Sequence, residues 1–252
     1  MLNSTERFSS RVANYIKYRP SYPGAVLELL STRCGLGAPS AVADVGSGTG
    51  ILTELLLETG AEVYGVEPNR EMREAGERLL HDYGRFHSVA GTAEATTLPD
   101  GCVDLITASQ AFHWFDVLKS RRELGRILRR RGWVALIWNE RPLESVALLD
   151  EYDALLRRHC PEYDRVKDMR ADEAKMREFF GHRPETAVFA NRQTFDYAGL
   201  EGRLMSSSYA PEAGNPEHEP MIAGLRKLFE RHSRGGKVLF PYRTLVFFGQ
   251  LD

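Results

Sequence analysis

Cysteine is scarce. Cys34, Cys102 and Cys160 are the only three in 252 residues, and no two of them form a CxxC pair. That spacing excludes a disulfide framework and a cysteine-based metal site. It predicts reduced thiols in a cytoplasmic protein. Long apolar runs are missing as well. No stretch approaches the ~18 consecutive apolar residues of a membrane span. The opening segment, MLNSTERFSSRVANYIKYRP, lacks the apolar core of a signal peptide. Neither export nor a membrane partner is expected. Nor is there an excess of positive charge: 33 Lys and Arg stand against 35 Asp and Glu, a net charge of −2. No overall basic field invites nucleic acid. Internal repeats and low-complexity tracts are also absent. What remains, 42% hydrophobic and 27% charged, is ordinary globular composition. The length suits one large domain, with or without an appended lid.

Between residues 41 and 139, short apolar runs alternate with helical patterns. AVADVG (41–46), AEVYGVE (61–67), FHSVAG (86–91), VDLITAS (103–109) and WVALIWN (133–139) read as strands. GILTELLLETG (50–60) spaces Ile51, Leu52, Leu55 and Leu56 as one helical face. Asn69 can cap the helix holding Met72, Ala75, Leu79 and Leu80. KSRRELGRILRRR (119–131) reads as a basic helix. Such alternation implies a parallel sheet with helices on both faces. The last hundred residues differ: mostly helical over 143–181, a strand at 185–197, two more helices, and a closing strand at 242–251.

The stretch VADVGSGTG (42–50) poses the functional question. Glycines this dense cost chain entropy unless something must approach the backbone closely. A strand running through a Gly-rich turn into a helix is a nucleotide-binding arrangement. A P-loop is excluded, because no GxxxxGK[ST] occurs. A dinucleotide turn wants G-x-G-x-x-G/A, and Ile51 stands where its third small residue belongs. A nicotinamide-dependent oxidoreductase therefore stays only as an alternative, as does a non-catalytic sensor or scaffold.

DVGSGTG resembles the first motif of the class I S-adenosylmethionine-dependent methyltransferases, an acidic residue followed by G-x-G-x-G. GVEPN resembles their second acidic site. GTAEATTLPDGCVDLITAS resembles their third-strand loop and fourth strand. ASQAFHWFD (108–116) and YIKYRPSYP (15–23) are similar to the methyltransferase type 11 branch that includes trans-aconitate methyltransferase-like enzymes. SSSYAP and LFPYRTLVFFGQL resemble that branch's tail.

The resemblance implies a Rossmann-like, doubly wound α/β fold. Its seven-stranded sheet is mostly parallel with the last strand antiparallel, and a helical lid is added. It implies three parts: a cofactor-covering segment (1–40), a cofactor-binding core (41–142), and a C-terminal part with a substrate lid (143–252). The cofactor implied is S-adenosylmethionine. Its site would draw on Asp44, Gly46, Ser47, Gly48 and Gly50 in the turn, with Asp44 serving the amino group directly or through the turn. Glu67 would accept from the two ribose hydroxyls, with Pro68 beside it. Thr92, Ala93 and Glu94 stand at the adenine, Thr92 replacing the Asp or Asn of many relatives. Ser109, Gln110, Tyr15 and Arg19 complete the set. The N-terminal segment, with a stripe of Phe8, Val12, Tyr15 and Ile16, is expected to close over the cofactor. The acceptor would be a small molecule, a carboxylic acid among the candidates, and no obligate protein partner is expected.

Each remaining residue carries two readings. His113 is either a general base or a packed histidine beside Trp114. Methylation of a carboxylate needs no base, which favours packing. Trp114 and Phe115 either flank the adenine or the reacting methyl, or belong to the core. Arg19, Arg141, Tyr242 and Arg243 could hold an acidic substrate or the cofactor carboxylate, or serve as surface ion-pair residues. The basic run from Arg121 to Arg131 reads as a solvated helical face. Tyr163 and Lys167 form a YxxxK pair that reads as coincidence.

Overall fold

The computed structural model describes residues 12–164 and 173–251. Phe8 and Lys167 lie outside the described residues.

Seven strands form one sheet: β1 (Ala41–Val45), β2 (Glu62–Val66), β3 (Phe86–Val89), β4 (Val103–Ser109), β5 (Leu128–Glu140), β6 (Glu185–Phe195) and β7 (Val238–Gly249). Their order is β3-β2-β1-β4-β5-β7-β6. The first five pair in parallel, and β7 runs antiparallel to both β5 and β6. This is the expected mostly parallel sheet with its last strand reversed.

Both faces are buried, because alternate residues face opposite ways along each strand. Ala43, Val45, Leu136 and Trp138 join Phe112, Phe179 and Phe180 on one face. Val42, Ala135 and Ile137 join Leu30, Leu52 and Leu56 on the other. A third apolar cluster lies in the C-terminal excursion. There the helices Ala147–His159, Tyr197–Met205 and His218–His232 pack Tyr152, Leu156, Leu204 and Leu225 against Phe240 of β7.

The helix starts follow local chemistry. Asn69 Oδ1 accepts from Met72 N at 2.9 Å and opens the helix Arg70–Leu79. Asp116 Oδ1 accepts from Lys119 N at 3.1 Å and opens Val117–Ile127.

That second helix corrects the sequence reading. It stops at Ile127, and Arg129, Arg130 and Arg131 belong to β5. Val103 pairs with Leu128 but Leu105 pairs with Trp133, so a bulge absorbs the extra residues. Arg131 takes a positive φ of 67° there. Asp104 draws Arg129 across at 2.7 Å, and Arg126 pairs with Glu123 and Asp100. These pairs engage two of the six arginines of the basic run, Arg126 and Arg129. No helix among the described residues is long and apolar enough to cross a membrane.

Candidate functional site

The strand order reverses between β1 and β4, and an open sheet of this type binds ligands beyond the carboxyl ends of its strands at that point. A cavity of about 360 Å³ lies there, within the usual range for small-ligand sites.

The glycine turn forms its floor. Gly46, Gly48 and Gly50 all have positive φ, at 72°, 59° and 92°, a region that disfavours side chains. A Cβ on Gly46 would come 2.5 Å from Ala111 Cβ. Gly48 has only Met72 Cε nearby, at 3.6 Å, so its backbone borders the cavity. Gly46 N and Ser47 N donate to Val66 O at 2.8 and 3.2 Å, which ties the turn to the end of β2.

Glu67 follows β2 and is buried. Its Oε2 accepts from Gly48 N and its Oε1 from Asn69 N, each at 2.8 Å. Burial raises its pKa, while the two backbone N–H groups pull it back. A carboxylate offers about four lone-pair sites, so acceptor capacity remains toward the cavity.

Asp44 is seated behind the turn. Its oxygens accept from Thr53 Oγ1 at 2.7 Å and Thr107 Oγ1 at 2.9 Å, and it does not line the cavity. Its role in this geometry is to lock β1 to β4 and to the helix Ile51–Glu58.

Most of the other expected residues do converge on the cavity: Pro68, Thr92, Ala93, Glu94, Ser109, Gln110, Tyr15, Arg19, His113, Trp114, Arg141 and Tyr242. Ser47, Gly50 and Arg243 join Asp44 outside its lining. Arg243 instead pairs with Glu140 at 2.9 Å. Thr92 Oγ1 accepts from Ala95 N at 3.2 Å and Glu94 N at 3.3 Å, fixing the loop. Gln110 holds a φ of 53°. It is pinned by donating from its backbone to Ile137 O at 2.9 Å and from Nε2 to Asn139 O at 3.1 Å. Strain of this kind gathers at binding sites.

His113 stacks at a tilt on Trp114, centroids 4.9 Å apart. Burial, helped by Lys175, lowers its pKa to about 4. It is therefore neutral near pH 7 and a weak base.

The described part of the N-terminal segment contributes Tyr15 and Arg19 to the cavity lining. Tyr15 lies on the helix Val12–Tyr18 and Arg19 just beyond it. Arg19 Nη2 donates to Ser206 O at 3.0 Å, and its guanidinium lies 5.0 Å from the Tyr15 ring centroid. Gln193 Nε2 donates to Tyr18 O at 3.2 Å, and Asn191 Nδ2 to Ser21 O at 2.8 Å.

Several lining residues escaped the sequence reading: Met72, Trp138, Asn139, Glu140, Arg203, Ser208 and Tyr209. Tyr163, set aside with Lys167, also lines the cavity, and its hydroxyl donates to Asp153, which also pairs with Arg141. The SSSYAP segment hinted at Ser208 and Tyr209. Arg203 gave no local signal at all.

Residues 43–136 match the family model described as a methyltransferase domain. An uncharacterized methyltransferase of Mycobacterium bovis is 37% identical over 134 residues, 53% of this chain and 52% of that protein. The uncharacterized methyltransferase YcgJ of Bacillus subtilis is 32% identical over 157 residues, 60% of each chain. The chain thus spans about half to three fifths of the curated relatives it matches. The crystal structure of YcgJ superposes with a TM-score of 0.54 at 20% identity, covering 91% of this chain and 100% of that one. A structure from Anabaena variabilis, assigned as a methyltransferase of an antibiotic biosynthesis pathway, gives 0.63 at 21%, covering 92% and 98%. These structural likenesses concern the fold.

Proposed function

We propose that this chain, which carries a methyltransferase domain over residues 43–136, transfers a methyl group from S-adenosylmethionine to a small-molecule acceptor. A carboxylic acid is the acceptor class favoured, and the cytoplasm is the proposed location. The observation that carries the reading is the Glu67 carboxylate. It is anchored by Gly48 N and Asn69 N at 2.8 Å, beside a left-handed glycine turn, at the reversal point of a parallel sheet.

The residues present suit this cofactor. Glu67 keeps lone pairs for two ribose hydroxyls. The Gly46–Gly48 backbone admits close approach of the methionine portion. Tyr15 and Arg19 would take its carboxylate; Arg19 Nε is buried and has no partner among the described residues, so it has a donor to give. Thr92, Ala93 and Glu94 would border the adenine.

When bound, S-adenosylmethionine supplies a methyl group activated by a sulfonium. The chain's part is alignment and exclusion of water. The N-terminal segment would cover the cofactor through Tyr15 and Arg19, while Trp114, Phe115 and Tyr163 line the cavity. A carboxylate attacking a sulfonium methyl cancels both charges, so no proton needs to move. A neutral His113 of low basicity suits that chemistry. Alignment then carries most of the rate enhancement, helped by a low-water environment.

Calorimetry with S-adenosylhomocysteine, with NAD as the competing ligand, tests the cofactor. Transfer of labelled methyl over a library of small acids and neutral metabolites tests the reaction. Binding of NAD in place of S-adenosylhomocysteine would favour the oxidoreductase alternative. Binding without turnover on any acceptor would favour a sensor.

A further inference from the structure

Two guanidinium groups, Arg19 and Arg203, reach the same cavity. Neither has a carboxylate partner among the described residues, whereas Arg141 pairs with Asp153 and Arg243 with Glu140. Arg203, on the helix Tyr197–Met205, is held from one edge. Its Nε donates to Tyr242 Oη at 3.1 Å and its Nη1 to Ser207 Oγ at 3.2 Å. Tyr242 Oη in turn donates to Gln193 Oε1 at 3.0 Å, so that hydroxyl is committed as an acceptor toward Arg203. A guanidinium carries five N–H donors. Three of those on Arg203 have no partner among the described residues.

The two charges also oppose one another. Burial, and after it the charge of Arg203, lowers the pKa of Arg19. Burial pulls the Arg203 pKa down, but the hydroxyls of Tyr242, Tyr152 and Tyr209 outweigh it and leave the pKa raised, with no carboxylate among these groups. Buried charge without a counter-ion is costly, and two like charges in one cavity compound the cost. The methionine carboxylate answers Arg19 on the reading above. Arg203 is left over.

We propose that Arg203 binds an anionic group of the methyl acceptor, and that this group is separate from the atom that takes the methyl. The planar fork suits an oxyanion, either a carboxylate or a phosphate. An oxyanion held by this fork has its negative charge compensated and is a weaker nucleophile than a free one. The reacting atom must keep its electron density available, so it lies elsewhere on the acceptor. Ser208 and Tyr209, also on the cavity wall, supply further hydroxyl donors beside the anchor. The inference rests on the methyltransferase reading for the role of Arg19.

The test is a titration of benzoate, succinate and phenyl phosphate, with benzamide, succinamide and phenol as neutral counterparts. Binding is followed by tryptophan fluorescence, since Trp114 and Trp138 line the cavity, with and without S-adenosylhomocysteine. Binding of S-adenosylhomocysteine alone is measured first and bears only on the cofactor reading, so the two readings fail separately. The expected result is binding of acids roughly tenfold or more tighter than their neutral counterparts. Arg203→Gln should lose that preference, while Arg203→Lys, which keeps the charge, retains part of it. Arg19→Gln should weaken S-adenosylhomocysteine binding by a larger factor than either Arg203 variant does. The stronger arm, carboxylate or phosphate, identifies the anion. Equal binding of acids and neutral compounds, unchanged acid binding in folded Arg203→Gln, or no acid bound at millimolar concentration would each overturn the proposal.

Discussion

The ring of Tyr18 lies directly on Gly202: a Cβ on that glycine would come 2.0 Å from Tyr18 Cε2. No side chain fits there unless the ring moves, and the ring belongs to the segment that carries Tyr15 and Arg19. Overpacking at such a contact costs about 1–3 kcal/mol. Gly202→Val should therefore lift the N-terminal helix, weaken S-adenosylhomocysteine binding severalfold and expose the chain before residue 25 to limited proteolysis. Adding Tyr18→Ala should restore part of the affinity, because the clash is then removed. Native affinity and protease resistance in Gly202→Val would show that the segment does not close the site.

Glu67→Ala should weaken S-adenosylhomocysteine binding by about 1.5–3 kcal/mol, because a charged acceptor for two hydroxyls is lost. The structure adds a second consequence. Gly48 N and Asn69 N lose their acceptor at 2.8 Å, so the variant should also melt earlier. Glu67→Gln separates the two effects: one amide oxygen can still take a backbone N–H, but the ionised acceptor is gone. Calorimetry on a folded Glu67→Gln protein with unchanged affinity would refute the ribose role.

How much could be read beforehand depended on how local each determinant is. The Gly46–Gly50 turn, Glu67 and the capping Asn69 announce themselves within a few residues, because turn geometry and cap bonds are short-range. The bulge at Arg131 did not: Arg129 looks helical until Asp104, on a neighbouring strand, draws it across. Arg203 is a plainer case. Nothing in YAGLEGRLM marks it, and its role arises only when β7 brings Tyr242 within 3.1 Å. Tyr163 and Lys167 match a motif by spacing alone, whereas the place of Tyr163 in the cavity comes from Asp153 and Arg141. For Asp44 the motif shows the position and leaves open whether it acts directly or through the turn. The side chain turns inward to Thr53 and Thr107.

His113 should prove dispensable as a base. With its pKa lowered to about 4 by burial, it stays neutral from about pH 5.5 upward. A general base typically contributes about 10²–10⁴ in rate. His113→Gln should keep kcat/KM within about tenfold of the unaltered enzyme, assayed with the acceptor found by the labelled-methyl screen. The profile of kcat/KM should show no inflection near the ordinary histidine pKa. A loss of a thousandfold, with cofactor affinity intact, would restore His113 as the base.

Asp44 should leave a signature in stability against pH. Its carboxyl is fully buried, and burial raises its pKa from 3.8 to about 6 against the pull of the Thr53 and Thr107 hydroxyls. The folded state therefore holds this proton more tightly than the unfolded chain does. Ionisation costs nothing below about pH 4, the cost grows between about pH 4 and pH 6, and it is complete above that. A shift of about two units corresponds to on the order of 3 kcal/mol. Asp44→Asn cannot ionise, and either threonine hydroxyl can rotate to accept from the new amide. The unfolding free energy of Asp44→Asn, taken relative to the unaltered protein, should thus rise by that order from about pH 4 to about pH 7. Urea unfolding across that window measures it. A difference that stays flat with pH would mean that Asp44 remains ionised throughout, held by a charge partner that the two threonines cannot provide.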